Sequence, residues 1–211
     1  MIDPKEFFEP AILLHGHRCP AMPLGLRAGA AAMNVLGVER SRDSQLIALV
    51  ELGTGHFGTC FADGVQMVTG CTFGKGNIRK LHYGKWGLTL IDRAANRAVR
   101  VTPKGKAMQV NTKSDFFTKY RSKGIPASEV PSEISGPLVE RALNAPVEAL
   151  LEVGEVFPFE WKEGPHSFEG FLCEVCGEMT VEPYGRILGD KKVCISCRQK
   201  ATGREEPVPG A

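Results

Sequence analysis

Residues 45–52 read QLIALVEL, a nearly unbroken apolar run between a polar segment and a glycine-rich one. A run of this length, bounded in this way, is typical of a strand that is buried on both faces. We therefore predict a strand in the middle of a sheet here. The rest of the chain is interpreted outward from this strand.

Helices are predicted on both sides of the strand. Before it, a short helix opens at Asp3 and Pro4, and small and apolar residues then recur near the 3.6-residue period over 21–35. After it, a helix of about three turns is predicted over 60–69, and Gly70 ends it.

Two more strands and three more helices are predicted further along the chain. The strands, at 85–91 and 98–102, flank a hairpin turn at 92–96. The helices lie at 115–123, 137–143 and 146–152. Because the order is helix, strand, helix, strands and helices, we predict an α+β fold in which a mixed sheet is flanked by helices.

The composition limits the classes of protein to which the chain can belong. Of the 211 residues, 43% are hydrophobic and 24% are charged, which supports a folded core and excludes a disordered chain. No apolar run approaches the roughly 20 residues of a membrane span, and the first six residues, MIDPKE, lack the features of a signal peptide. We therefore expect a cytoplasmic protein. A net charge of +2 gives no electrostatic reason to expect nucleic acid as a partner.

Four of the seven cysteines form two Cys-x-x-Cys pairs near the C-terminus. Cys173 and Cys176 make the first pair, and Cys194 and Cys197 make the second. Each pair can form a tight knuckle that brings two thiolates to one tetrahedral ion, so this spacing predicts a structural zinc site. A knuckle followed by a helix, as predicted from Cys194 onward, is the treble-clef arrangement. A segment of about 35 residues cannot build a sufficient core alone, so metal binding would contribute to its folding.

The predicted domains follow from these patterns. Residues 1–155 form the core domain, 156–170 a linker, 171–203 the zinc finger and 204–211 a flexible tail. From 171 to 211 the basic and acidic residues number six each, so the finger has no basic face. A protein contact or a purely stabilising role is therefore favoured over DNA reading.

A second set of potential metal ligands lies before the helix at 21–35. His15, His17 and Cys19 alternate along the chain, so their side chains can converge in an extended segment. A helix N-terminus lowers the pKa of a thiol and favours the thiolate that binds metal. If the helices that follow Cys19 and Cys60 run parallel, His17, Cys19 and Cys60 form a three-ligand site with an open position, as in catalytic zinc sites. The alternative is two ordinary core thiols and a loop histidine.

The glycine-rich segment 70–77, GCTFGKGN, invites comparison with a phosphate-binding loop. The comparison fails because Gly76 occupies the position of the magnesium-binding Ser or Thr, and too few residues follow the first glycine. A tight loop whose Lys75 attracts an anionic group of a substrate stays open. Cys71 is expected to pack in the core.

These motifs together resemble the signature of the FmdE family, which takes its name from a component of formylmethanofuran dehydrogenase. The resemblance covers residues 5–155 and rests on the segments HGHRCP at 15–20, LGLRA at 24–28, Glu51, CFADGVQ at 60–66, GCTFGKGN at 70–77, YGK at 83–85 and VRV at 99–101. The C-terminal unit resembles the treble-clef zinc finger that some members append.

The resemblance implies a somewhat thioredoxin-like core, a homodimer, and a metal-binding active site at His17, Cys19 and Cys60 with His15 nearby. It also implies an association with molybdenum or tungsten formylmethanofuran dehydrogenase, an enzyme of one-carbon metabolism in methane-producing archaea. The chemistry of that enzyme belongs to a metal-pterin cofactor in other subunits, so the dehydrogenase reaction is not assigned to this chain.

Two carboxylates become candidates for supporting roles in such a site. Glu51 and Asp63 could orient a ligating imidazole or take up a proton. For Asp63, a helix cap or a surface charge is the alternative.

Three functions follow as hypotheses. The first is a zinc-binding accessory protein that serves an anaerobic oxidoreductase as a subunit, metal handler or small catalyst, with a second zinc or other transition metal in its core domain. The second is an independent enzyme, in which Cys19 and Cys60 exchange electrons or a three-ligand zinc activates water. The third is a regulatory module whose zinc finger binds protein or nucleic acid.

Overall fold

The chain folds into two units, each with its own hydrophobic core. The computed structural model describes residues 1–162, 164 and 167–207. The larger unit spans Met1–Trp161 and the smaller spans Lys162–Ala211. Three residues of the predicted linker and the last four of the predicted tail lie outside the described residues. Within the described ranges, none of the helices has the length and apolarity needed to cross a membrane.

A five-stranded mixed sheet forms the centre of the larger unit. Its strands, in spatial order, are β2 (Ile78–Lys80), β1 (Leu46–Val50), β3 (Leu88–Asp92), β4 (Arg97–Pro103) and β5 (Leu151–Pro158). β1 pairs in parallel with β2, and the other neighbours are antiparallel. The apolar run at 45–52 thus forms a strand with a partner on each side, and the predicted hairpin joins β3 to β4.

Helices cover the sheet and connect its strands. They are α1 (Phe8–His15), α2 (Ala21–Leu36), α3 (Phe61–Thr69), α4 (Gly105–Thr112), α5 (Ser132–Asn144) and α6 (Val147–Leu150). A 3-10 turn at Pro4–Phe7, capped by the Asp3 carboxylate, precedes α1. The segment predicted as a helix over 115–123 forms a π turn, Phe116–Tyr120, and a 3-10 turn, Arg121–Lys123. The predicted α+β class is confirmed.

Helices α2 and α3 pack closely because both carry glycine where they cross. A Cβ atom on Gly25 would lie 1.9 Å from the carbonyl oxygen of Phe61, and one on Gly64 would lie 2.1 Å from that of Met22. Further along α2, Gly29 meets Val68 of α3, so the two helices run in the same direction. Their N-terminal ends therefore lie together.

The two faces of the sheet carry cores of different size. The main core contains residues of α2, α3 and the sheet, with Met22, Leu26 and Leu90 fully buried. Ile47 and Ile91 point to the other face, where Phe159 and Trp161 pack against them.

Strand β5 is the element that the sequence prediction missed. A helix is predicted over 146–152, but α6 ends at Leu150 and β5 begins at Leu151. A bulge shifts the register opposite β4, so Val153 and Val156 pair with Val101 and Val99 on one face although they are three residues apart. This odd spacing hides the period of two by which a strand is recognised.

The smaller unit is built from two hairpins and a helix. β6 (Gly170–Leu172) pairs with β7 (Met179–Val181), β8 (Gly185–Leu188) pairs with β9 (Lys191–Cys194), and α7 (Ile195–Thr202) follows. Its buried core consists of Val193 and three cysteines, Cys173, Cys194 and Cys197. So few apolar side chains cannot stabilise a fold of this size without a further crosslink.

Candidate metal centre

The predicted core-domain ligands lie where the N-terminal ends of α2 and α3 meet. Helix α1 ends at His15, and Gly16 follows with a left-handed φ of +94°, which turns the chain toward α2. Cys19 lies two residues before α2, and Cys60 lies immediately before α3. The close crossing of the two helices therefore brings the two cysteines together.

Four side chains form a connected cluster at this point. The Cys19 sulfur lies 3.3 Å from the Cys60 sulfur and 3.4 Å from Nε2 of His15. The other ring nitrogen of His15, Nδ1, lies 2.8 Å from Oδ2 of Asp63. The ligand atoms of His15, His17 and Cys19 all lie within 4.8 Å of one another. The structure thus brings together the residues that the sequence singled out here, with His15 inside the cluster.

The hydrogen bonds of the cluster set its protonation. The Asp63 carboxylate, helped by Cys19, raises the pKa of His15 to about 9, so its imidazolium donates to both neighbours. The Cys60 thiol donates to Cys19 and lowers the pKa of Cys19, an effect that His15 reinforces. The same contact and burial raise the pKa of Cys60. The cluster therefore pairs one thiolate, Cys19, with one thiol, Cys60.

A cleft of about 910 Å³ opens from the cluster. His15, His17, Cys19 and Cys60 lie at its wall, with Asp63 beside them. Other parts of the wall are aromatic or cationic, and these residues are Phe57, Phe73, Phe116, Phe117, Lys80 and Arg121. This volume lies within the range of small-molecule sites.

Two predicted site residues lie apart from the cluster. The Lys75 ammonium donates to the backbone carbonyls of Ser41 and Arg42, each at 3.0 Å, and Lys75 does not line the cleft. The Glu51 carboxylate accepts two hydrogen bonds from Arg100, at 2.6 and 2.8 Å, and also lies outside the cleft wall. Both side chains are used in holding local backbone or sheet structure together.

Cys71 packs in the core, as the sequence predicts. It is fully buried, and its thiol donates to the carbonyl of Leu46 at 3.5 Å. Burial raises the pKa of Cys71 to about 11, so it stays a thiol at neutral pH.

Sequence reasoning missed the far wall of the cleft. Phe116 and Phe117 come from the π turn, and Lys80 comes from the end of the short strand β2. No motif marks these residues, because the wall forms only when segments distant in sequence pack together. The adjacent phenylalanines in an otherwise polar segment were the one available signal.

The four C-terminal cysteines form a second group of ligand atoms, all within 4.8 Å of one another. Tetrahedral zinc with bonds of about 2.3 Å sets its sulfurs about 3.8 Å apart, and the Cys176 and Cys194 sulfurs lie 3.9 Å apart. The backbone N–H of Cys194 donates to the Cys173 sulfur at 3.3 Å, as a knuckle requires. The arrangement fits a structural zinc ion.

The core cluster also has the donor chemistry of a metal site. Two imidazoles and a thiolate are ligands that zinc and its neighbours in the transition series accept. The hydrogen bond from His15 to Asp63 leaves Nε2 of His15 on the side of Cys19, which is the usual way that a carboxylate orients a ligating histidine. A metal would have to displace the proton on that nitrogen.

Comparison with known families assigns both units. Residues 14–156 match the family described as FmdE, molybdenum formylmethanofuran dehydrogenase operon. Residues 167–203 match the prokaryotic dksA/traR C4-type zinc finger. Because the first match spans more than half of the chain, the protein belongs to the FmdE family, and the predicted resemblance is confirmed.

Two individual proteins are similar to this chain. A probable S-adenosyl-L-methionine-binding protein of Archaeoglobus fulgidus is 33% identical over 179 residues, which is 79% of this chain and 46% of that protein. The chain thus spans about half the length of this relative. The crystal structure of an FmdE-like protein of tungsten formylmethanofuran dehydrogenase from Syntrophus aciditrophicus superposes with a TM-score of 0.60 at 22% identity, covering 94% of each chain. This second likeness concerns the fold.

Proposed function

We propose that this FmdE-family protein is a metal-binding accessory component of a molybdenum or tungsten formylmethanofuran dehydrogenase-type oxidoreductase. In this proposal, Cys173, Cys176, Cys194 and Cys197 hold a structural zinc ion, and the core cleft holds a second transition metal ion. The observation that carries the proposal is the convergence of His15, His17 and Cys19 at the wall of a cleft large enough for a small molecule.

The core ion is held by His15, His17 and Cys19, and Cys60 stands next to them. When bound, the ion supplies a Lewis acid at the wall of the cleft. Asp63 fixes the ring of His15 through a hydrogen bond of 2.8 Å. The Cys60 sulfur, 3.3 Å from Cys19, can complete the ligand set or hold a proton beside the reacting group.

The open cleft favours a site that acts over a buried structural site. A structural zinc is closed by four protein ligands, whereas a catalytic or transferring site keeps a position open. The four cysteines of the finger fit the first description. The core cluster, with a cleft of about 910 Å³ beside it, fits the second.

The role beside a dehydrogenase is supported by the family description, which refers to a molybdenum formylmethanofuran dehydrogenase operon. We further propose that the protein works as a homodimer in the cytoplasm, where thiols stay reduced. Sedimentation of the purified chain, alone and with the dehydrogenase subunits, tests both associations. A monomer that forms no complex with those subunits would refute the accessory role.

The metal proposal is tested by counting metal ions per chain in anaerobically purified protein by mass spectrometry. Wild type should hold two, Cys19→Ser should lose the core ion, and Cys173→Ser should lose the finger ion. Cys71→Ser is the matched control, since it removes a thiol near the far end of α3 and should keep both ions. Equal metal content in Cys19→Ser and Cys71→Ser would refute the core site.

A second function, thiol redox chemistry, is favoured by the 3.3 Å distance between the Cys19 and Cys60 sulfurs. In that reaction the Cys19 thiolate and the Cys60 thiol would form a disulfide, releasing one proton and passing two electrons to a disulfide substrate, which leaves as two thiols. Mass spectrometry of the protein after exposure to oxidised glutathione distinguishes the two functions. A Cys19–Cys60 disulfide that forms in the metal-loaded wild type would favour the redox function.

A further inference from the structure

We propose that the core cleft takes a small anionic ligand with a flat aromatic body, and that the anionic group binds beside Lys80 and Arg121. The inference rests on the proposed function, because it takes the His15, His17 and Cys19 cluster as the reacting end of the cleft. It adds the chemical class of the molecule that is presented to that cluster.

Strand β2 fixes the direction of Lys80. Successive residues of a strand point to opposite faces, so Ile78 and Lys80 share one face and Arg79 has the other. Both Ile78 and Lys80 line the cleft, whereas the guanidinium of Arg79 stacks on Trp161 at 4.6 Å. Within the described part of the chain, the Lys80 ammonium has no ion-pair partner.

Arg121 supplies a second cation from the opposite segment. It begins the 3-10 turn Arg121–Lys123, and its Nη1 donates to the carbonyl of Ile125, which orients the guanidinium. A single carboxylate, Asp63, lies among the described residues that line the cleft, and it is already bonded to His15. The cleft therefore has two cations without a compensating anion, which attracts a negatively charged ligand.

An aromatic wall accounts for the second half of the proposal. The rings of Phe57 and Phe117 meet edge to face at 5.0 Å, and those of Phe116 and Phe117 meet at 5.1 Å. Phe116 is buried, so this wall is held in place by the core. A flat apolar body gains both area burial and ring contacts against such a wall, whereas a fully polar anion gains neither.

The test uses three probes and isothermal titration calorimetry on the full chain. 2-Naphthoate has the proposed features, 2-naphthamide has the same body without charge, and acetate has the charge without the body. We expect naphthoate to bind about tenfold more tightly than the amide, as for one charge-assisted contact, and acetate to bind more weakly than either. Lys80→Met should abolish the preference for naphthoate over the amide. Lys106→Met, which removes an exposed lysine outside the cleft, should retain it.

Equal binding of naphthoate and naphthamide to wild type would overturn the inference, and so would no binding of either probe or a preference that survives in Lys80→Met. The metal content of the same samples separates this outcome from failure of the proposed function. Wild type that prefers naphthoate but holds one metal ion per chain would retain the ligand class and refute the core metal site. Wild type with two metal ions and no preference for charge would do the reverse.

Discussion

The contact between α2 and α3 gives the sharpest prediction about how the fold builds the core cluster. In Gly25→Ala, the new Cβ would lie 1.9 Å from the Phe61 carbonyl oxygen, and a tolerable contact needs about 3 Å. The helices must therefore separate by about 1 Å, which also separates Cys19 from Cys60. Overpacking of this kind costs about 3 kcal/mol, and the higher helix propensity of alanine returns about 1 kcal/mol.

We therefore expect Gly25→Ala to lose about 2 kcal/mol of unfolding free energy, which lowers the melting temperature of the larger unit by roughly 4–8 °C. The matched control is Gly136→Ala in α5, because a Cβ there would meet no atom within 4 Å. That variant should be as stable as wild type or up to about 1 kcal/mol more stable. Thermal unfolding followed by circular dichroism measures both. A Gly25→Ala protein that melts at or above the wild-type temperature would refute the packing argument.

Three further predictions concern other parts of the molecule. Glu51→Gln should cost about 2–3 kcal/mol, because it breaks a two-point hydrogen bond to Arg100 from a carboxylate that is 5% exposed. Arg100 lowers the pKa of Glu51 below its ordinary 4.5, so this stabilisation is complete above pH 4.5 and is lost as the pH falls through the lower folded-state pKa. Urea unfolding at decreasing pH should show a smaller loss of stability in the variant, and parallel losses would contradict the assignment. Arg27→Met should cost about 2–4 kcal/mol, because it leaves three backbone carbonyls at the end of α5, those of Ala142, Leu143 and Ala145, without their donor; unfolding by urea at neutral pH measures this, and a loss below 1 kcal/mol would contradict it. Dialysis against a chelator should remove the core metal before the finger zinc, because four thiolates hold zinc more firmly than three mixed ligands, and metal analysis during dialysis would contradict this order if the finger emptied first.

The parts of the fold that could be predicted are those with local signals. The strand at 45–52 has an unbroken apolar run, α2 and α3 have regular periodicity and glycine stops, and the four C-terminal cysteines have a spacing that fixes their geometry. Strand β5 could not be recognised, because the bulge opposite β4 places Val153 and Val156 on one face. That pairing exists only once β4 is in place.

The candidate site shows the same division. His15, His17 and Cys19 are close in sequence, and Cys60 joins them because two helices run parallel, a possibility that the helix starts already suggested. Lys75 is conspicuous in its glycine-rich loop, yet its ammonium binds backbone carbonyls. Lys80 has no motif, and its place in the cleft depends on the pairing of β2 with β1. Motifs thus identify reactive side chains better than they identify the walls around them.

The most direct test of the core metal site is the metal content of a Cys173→Ser protein, in which the finger site is removed and the core cluster is intact. We predict one transition metal ion per chain in that variant, and none when His15→Ala is added. A Cys173→Ser protein that folds but holds no metal after anaerobic purification and reloading with zinc would contradict the core metal site, and the cluster would then be a thiol pair.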